Sequence, residues 1–129
     1  MTKEQHIEHW LKSSEDDEKT MNFLFKDGQF TDCLFFGHLY IEKICKALWI
    51  KNNNGNTPPF IHNLVKLIDG IDTCFSEKDI AFLVKLNEYQ LSGRYQDSTY
   101  SLKAQTTKEF TENSLNYIKQ IAACLQKQV

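Results

Sequence analysis

One arginine, Arg94, stands in a chain that otherwise draws its positive charge from fourteen lysines. A guanidinium presents a planar fork of donors that fits two oxygens of a phosphate or carboxylate, whereas a lysine ammonium is a mobile point charge. The arginine lies in Ser92-Gly93-Arg94-Tyr95-Gln96-Asp97-Ser98-Thr99-Tyr100. There Tyr95 and Tyr100 carry phenolic protons, and Asp97 carries a carboxylate that burial would turn into a base. Arginine stabilises phosphate charge but does not move protons near neutral pH. Histidine does, and the chain has none after His62. The segment is therefore equipped to hold an anion, with Arg94, Asp97 and Tyr100, and Tyr95 beside them, as the candidates there for catalysis. Near a helix end, Arg94 also has a purely structural use, pairing with Asp97 or capping carbonyls.

A second set of charges, Glu42, Lys43 and Lys46, falls within one helical stretch. Glu42 and Lys46 are four apart in the order that favours an ion pair, which predicts a solvated polar face. His38, among Phe35, Phe36, Leu39 and Ile41, reads as a histidine at the edge of a core. His62 follows Pro58 and Pro59, where its ring would bond a backbone group and tie the loop down. His6 and His9 are three apart but lack further ligands, so neither a metal site nor a cofactor is expected. Cys33, Cys45, Cys74 and Cys124 show no Cys-x-x-Cys pair and no histidine at zinc spacing, which predicts buried, reduced thiols. The polar start and the lack of a long apolar run predict no membrane span and a cytoplasmic location. A formal net charge of −2, with lysines dispersed among carboxylates, excludes a broad basic footprint for long nucleic acid but not a local phosphate site.

These residues must be positioned by helices, because apolar residues recur at helical spacing nearly throughout. Ile7, Trp10, Leu11, Ser14, Met21, Leu24 and Phe25 predict a first helix over Lys3–Lys26, broken by Asp27-Gly28. Leu34, Phe35, His38, Ile41, Ile44, Cys45, Leu48 and Trp49 predict a long second helix, and the Asn-rich run ending in Pro58-Pro59 predicts a loop. A short third helix is expected to open at Pro59 or Phe60, bury Leu64, Leu67 and Ile68, and stop near Gly70. Ser76-Glu77-Lys78-Asp79 has capping-box spacing and introduces a fourth helix that Gly93 would end. Thr106-Thr107-Lys108-Glu109, a second such box, introduces the last helix. No stretch alternates as a strand. The chain of 129 residues thus predicts a single all-α domain over residues 1–129, a mostly up-and-down bundle of about five helices. Trp10, Phe23, Phe25, Phe30, Phe35, Phe36, Trp49, Phe82 and Phe110 exceed what one seam buries, so some are expected at an interface, in a homodimer or higher homo-oligomer.

In order and spacing, several pieces together resemble the HEPN domain family: Trp10 and Asp17; Phe30 to His38; Ile41-Glu42-Lys43-Ile44-Cys45-Lys46-Ala47-Leu48; His62-Asn63-Leu64; and Arg94-Tyr95-Gln96-Asp97. The match spans nearly the whole chain and is similar to the branch with Glu-Lys-x-x-Lys-Ala, His-Asp-Leu and Arg-Tyr-Pro-Asp segments. Asn63 stands where that branch has aspartate, and Gln96 where it has proline. The resemblance implies a small helical bundle that pairs with itself and often works beside a minimal nucleotidyltransferase in toxin–antitoxin systems. It implies an inward-facing Asp17, and a cleft in which Lys43 or Lys46 lies near Arg94 and two copies of Arg94 meet across a twofold axis. Many relatives are toxins that cut RNA with an arginine followed four to six residues later by histidine. Here those positions hold Thr99, Tyr100 and Ser101, so the proton carrier of that mechanism is missing. A related branch is nucleotidylated on a tyrosine near its histidine, and Tyr100 is the matching hydroxyl.

The expectation is a noncatalytic module that binds nucleotide or RNA phosphate through Arg94, Tyr95, Asp97, Lys43 and Lys46, or that partners a nucleotidyltransferase. A divergent, metal-independent ribonuclease toxin and a purely structural helical adaptor are the alternatives.

Overall fold

In a computed structural model of the chain, residues 1–91 and 102–129 are described. They form helices α1 (Lys3–Lys26), α2 (Phe30–Asn52), α3 (Leu64–Leu67), α4 (Glu77–Leu91) and α5 (Lys108–Gln128), and residues 102–105 are also helical. No strand occurs among the described residues. Gly93, Arg94, Tyr95, Gln96, Asp97, Thr99, Tyr100 and Ser101 lie outside them.

Local chemistry sets most helix ends. Thr2 and Gln5 exchange side-chain and backbone bonds at the start of α1, at 3.1 and 2.8 Å, satisfying amides that have no partner within the helix. At its end, Gly28 takes φ +77°. There the Gln29 amide reaches Leu24 O at 2.9 Å and the Gly28 amide reaches Phe25 O at 3.1 Å, the paired bonds of a Schellman stop. Ser76 and Asp79 form the expected reciprocal box before α4, at 2.9 and 3.2 Å. Gly70, with φ +78°, follows α3 as expected.

Two boundaries differ from expectation. The third helix is one turn long and starts at Leu64, because the Asn63 side chain accepts the Val65 and Lys66 amides and caps it there. Residues 57–63 are not helical, the prolines leaving this stretch poor in amide donors. The last helix is capped by Thr107, whose Oγ1 accepts the Phe110 amide at 3.1 Å. Thr106 is drawn away from capping by Tyr89, whose hydroxyl lies 2.8 Å from Thr106 Oγ1.

Contacts between helix ends give the topology. Lys3 Nζ, at the start of α1, donates to Ile50 O at 2.8 Å and Asn53 O at 2.7 Å at the end of α2, so these helices are antiparallel. Lys51 Nζ donates to Gln128 O at 2.8 Å, placing the C-terminal ends of α2 and α5 together. Asp79 and Phe82 meet Tyr117, while Tyr89 meets Thr106, so α4 and α5 are antiparallel. The four long helices therefore alternate in direction along the chain. Their shared core includes Met21, Leu34, Ile41, Ile44, Leu48, Leu64, Leu83, Ile118 and Leu125, all nearly inaccessible to solvent. Among the aromatics expected to exceed one seam, Phe23 and Phe110 are exposed; the others are half-buried.

The cysteines divide in a way the sequence did not suggest. Cys33 and Cys45 are buried free thiols, and burial pushes each up to about 12. Cys74 is exposed, Cys124 is half-buried, and the two are joined as a disulfide with Cα atoms 6.6 Å apart. Lying 50 residues apart in sequence, they have no local spacing that betrays the pairing, which only the docking of the α3–α4 connection on α5 creates.

Gly37 marks a close approach of α2 to α1 and α5. A Cβ there would lie 2.7 Å from Ile118 Cδ1 and 3.3 Å from Met21 Sδ, so side chains of α1 and α5 would have to move. Overpacking of this kind costs about 1–3 kcal/mol, while the gain in helix propensity over glycine is below about 1 kcal/mol. Gly37→Val should lower stability by about 2 kcal/mol in urea denaturation, and an unchanged midpoint would show that this crossing is not tight.

A buried charge network as the candidate functional site

Positions four apart place His38, Glu42 and Lys46 on one face of α2. That face is turned inward: His38 is inaccessible, and Glu42 and Lys46 are 4% and 6% exposed. The ion pair expected from their spacing forms, with Lys46 Nζ 3.3 Å from Glu42 Oε2, but the expected solvated setting is wrong. Trp10 of α1 covers it, its ring centroid 5.2 Å from Lys46 Nζ, and the segment before α3 brings His62 Nδ1 to 3.0 Å from Glu42 Oε1. Taking a carboxylate out of water costs several kcal/mol unless its oxygens are paired. Here each oxygen has a donor from a different part of the chain.

A second ion pair lies one turn away. Asp17, buried on α1, receives Lys43 Nζ at 2.7 Å, which places it in the interior as the family resemblance implies. Lys43 and Lys46, expected as ligand-binding cations, are both committed to carboxylates within the protein. Lys43 keeps partial access to solvent, its side chain 22% exposed.

From His38 the network continues to α4. Asn63 Oδ1 accepts backbone amides, so it must be oxygen, and Asn87 Nδ2 donates to it at 3.2 Å. Asn87 Oδ1 then accepts the Leu64 amide at 3.1 Å and faces His38 Nε2 at 3.2 Å. Backbone donors thus fix both amide orientations, and His38 Nε2 must carry the proton. Burial lowers the His38 pKa and keeps the ring neutral, against the pull of Glu42. Its Nδ1 has no side-chain hydrogen-bond partner among the described residues and stands 3.8 Å from Glu42 Oε1.

His62 binds a carboxylate rather than the backbone group expected of it. A carboxylate only accepts, so Nδ1 donates, and in the neutral ring Nε2 carries a lone pair on a side chain 46% exposed. This orientation is that of a carboxylate-held general base, but Lys46 neutralises the same carboxylate and tempers that use. No group of three or more His, Cys, Asp and Glu side chains among the described residues is arranged to hold a metal ion. No helix among them is long and apolar enough to cross a membrane.

The Arg94 segment lies outside the described residues, but the residues on either side of it do not. Tyr89, near the end of α4, meets Thr106 Oγ1, which also donates to Leu102 O. Leu102 itself is buried. The approaches to residues 92–101 are thereby joined to each other and to the core. Asn87 was not recognised as a network residue from the sequence, and Asn63 was singled out only as standing where relatives have aspartate. Asn63 precedes a helix in a preferred capping position, and Asn87 interrupts the apolar face of α4 four residues after Leu83, which are the signals that could have found them.

A bundle of alternating helices with a charged seam on its second helix defines a class, and comparison gives that class its name. The HEPN domain profile matches residues 7–128, and the chain belongs to the HEPN domain family. The fold is also similar to the crystal structure of TT1696 from Thermus thermophilus, with a TM-score of 0.77 and 16% identity over 95% of this chain and 98% of that one. No match was found among curated proteins.

Two outcomes follow from the buried charges. Glu42→Ala would leave Lys46 buried without its carboxylate and should cost about 3–5 kcal/mol in chemical denaturation; a loss below about 1 kcal/mol would mean that water replaces the carboxylate. For His38, the unfolded chain, titrating near the ordinary 6.5, takes up a proton before the folded one does. Stability from this group is therefore intact above about pH 6.5 and falls as acid is added, by up to about 1.4 kcal/mol per pH unit, until the lowered folded pKa is passed. His38→Gln should flatten that part of the pH–stability curve, and an identical slope in the variant would assign the titration elsewhere.

Proposed function

We propose that this protein is a noncatalytic HEPN module that binds nucleotide or RNA phosphate through Arg94, acting as a self-associated pair or beside a minimal nucleotidyltransferase. The observation that carries this reading is the commitment of Lys43 and Lys46 to Asp17 and Glu42 at 2.7 and 3.3 Å, which neutralises two of the three lysines of α2; the third, Lys51, donates to Gln128 O at the far end of the helix. The phosphate-binding charge then falls to the single guanidinium of the chain, whose fork suits two phosphate oxygens. Tyr95 and Asp97 follow it in sequence and are the further candidates for contact with the ligand. The noncatalytic part rests on proton transfer. His38 is sealed inside the bundle, Lys46 shares and neutralises the carboxylate that holds His62, and no histidine follows Arg94. A phosphodiester bound at Arg94 would therefore lack the usual carrier for the attacking and leaving oxygens, a contribution of about 10²- to 10⁴-fold.

The test is binding of fluorescently labelled RNA and ATP by anisotropy, paired with a sensitive RNA-cleavage assay. Wild type should bind without cutting, and Arg94→Ala should lose at least about tenfold in affinity, as expected for a charge-assisted bidentate contact. Equal binding by Arg94→Ala would remove the proposed site. RNA cleavage abolished by His62→Ala would instead establish the ribonuclease reading, with the Glu42-held imidazole as its base.

A further inference from the structure

At the opposite end of α4 from the Arg94 segment, the connection between α3 and α4 lies against the last turns of α5. Cys74 of that connection and Cys124 of α5 have Cα atoms 6.6 Å apart, within the span a disulfide bridges without moving the backbone. The approach is held by more than sulfur. The Gln128 side chain bonds Asp72 O at 2.7 Å and the Cys74 amide at 3.3 Å, so one amide grips the connection on both sides of the cysteine. Just inside α4, Asp79 receives the Tyr117 hydroxyl. Gln128 Oε1 also lies 3.4 Å from Cys74 Sγ, within reach of a thiol S–H when the bond is open. The scaffold that aligns the sulfurs does not depend on the covalent link.

We propose that Cys74 and Cys124 form a reversible thiol–disulfide site that reacts with low-molecular-weight disulfides. Access supports this chemistry: Cys74 is exposed, and a cleft of about 390 Å³ lined by Cys74, Phe75, Asp79, Tyr117, Cys124 and Lys127 opens beside it. The Cys74 thiolate attacks one sulfur of the small disulfide, whose S–S bond breaks and releases one thiolate, leaving a mixed disulfide on Cys74. The Cys124 thiolate then attacks the Cys74 sulfur and expels the second small thiolate. Two protein S–H bonds are lost and two small-molecule S–H bonds are formed, so protons and electrons balance. Cys33 and Cys45 take no part, being buried with thiols pushed up to about 12.

Closing this bond encircles a definite part of the chain. The ring runs from Cys74 through α4 and residues 92–101 to Cys124, a separation of 50 residues. It restricts the unfolded chain far more than the folded one. Oxidation therefore stabilises the fold, while reduction leaves the connection docked by noncovalent contacts, chiefly Gln128 and the packing of Ile71 and Phe75 on the core. This site stands independently of phosphate binding at Arg94.

The experiment uses the full chain, reduced and freed of reductant, then incubated with oxidised glutathione and digested without reduction. Peptide mass spectrometry should find Cys74 joined to Cys124, with Cys33 and Cys45 remaining thiols. The oxidised protein should melt about 10 °C above the reduced one, as a ring of this size implies. Cys124→Ser should stop at the intermediate, with one glutathione on Cys74 and no rise in Tm. Glutathione persisting on wild-type Cys74 without ring closure, two unreacted thiols after incubation, or a linked pair with the Tm of the reduced protein would each overturn the proposal.

Discussion

The Glu42 carboxylate, sealed in the bundle, constrains every element that must reach it. A buried anion is tolerated only when donors arrive from all sides, and here they come from its own helix through Lys46 and from the segment before α3 through His62. Trp10 closes the site from α1, and beside it the neutral His38 bonds Asn87 of α4. Apolar packing would let these helices slide or rotate with small losses. A carboxylate that must keep two specific donors would not. The polar seam therefore sets how α1, α2 and α4 meet, while the apolar core around Ile41, Ile44, Leu83 and Ile118 supplies the general driving force for burial.

The same pairing bears on function. Positive charge on a helix face is commonly available to an anionic ligand, but a lysine already neutralised at 2.7 Å by Asp17, or enclosed with Glu42 beneath an indole ring, has little charge to offer outward. In this member of the HEPN family the second helix thus serves stability, and on the proposed reading ligand binding is left to residues beyond α4. The contact between Tyr89 and Thr106 matters in this light, because it fixes the points from which the Arg94 segment departs and to which it returns.

Helix direction in the bundle follows from short-range chemistry joined to one close approach. The Schellman stop at Gly28 reverses the chain between α1 and α2, and the Ser76–Asp79 box starts α4 after the one-turn α3. Gly37 then lets α5 settle into the groove between α1 and α2, where any side chain would meet Ile118 and Met21. The final turns of α5 are secured at both flanks, by Lys51 on α2 and by the connection before α4 through Gln128 and the Cys74–Cys124 link. Both ends of α4 are tied to neighbouring structure.

The all-α class, the extent of α1, the stop at Gly70 and the box before α4 were legible in the sequence, because helical periodicity, φ-permissive glycine and side-chain capping act over a few residues. The pairing of Glu42 with Lys46 was legible for the same reason. Its burial was not, since spacing along a helix says which residues share a face but not what that face meets. Trp10 and His62 decide the matter, and they arrive from 32 and 20 residues away in sequence, as the difference between residue numbers 10 and 42, and 42 and 62, gives. Thr107 rather than Thr106 caps α5 because a tyrosine on another helix competes for the neighbouring hydroxyl. Cys74 and Cys124 likewise carry no local sign of each other. Sequence determined the chemistry available at each position and the local turns that direct the chain; tertiary structure decided which charges lose contact with water and which thiols meet, because desolvation and long-range proximity are properties of the packed helices rather than of neighbours along the chain.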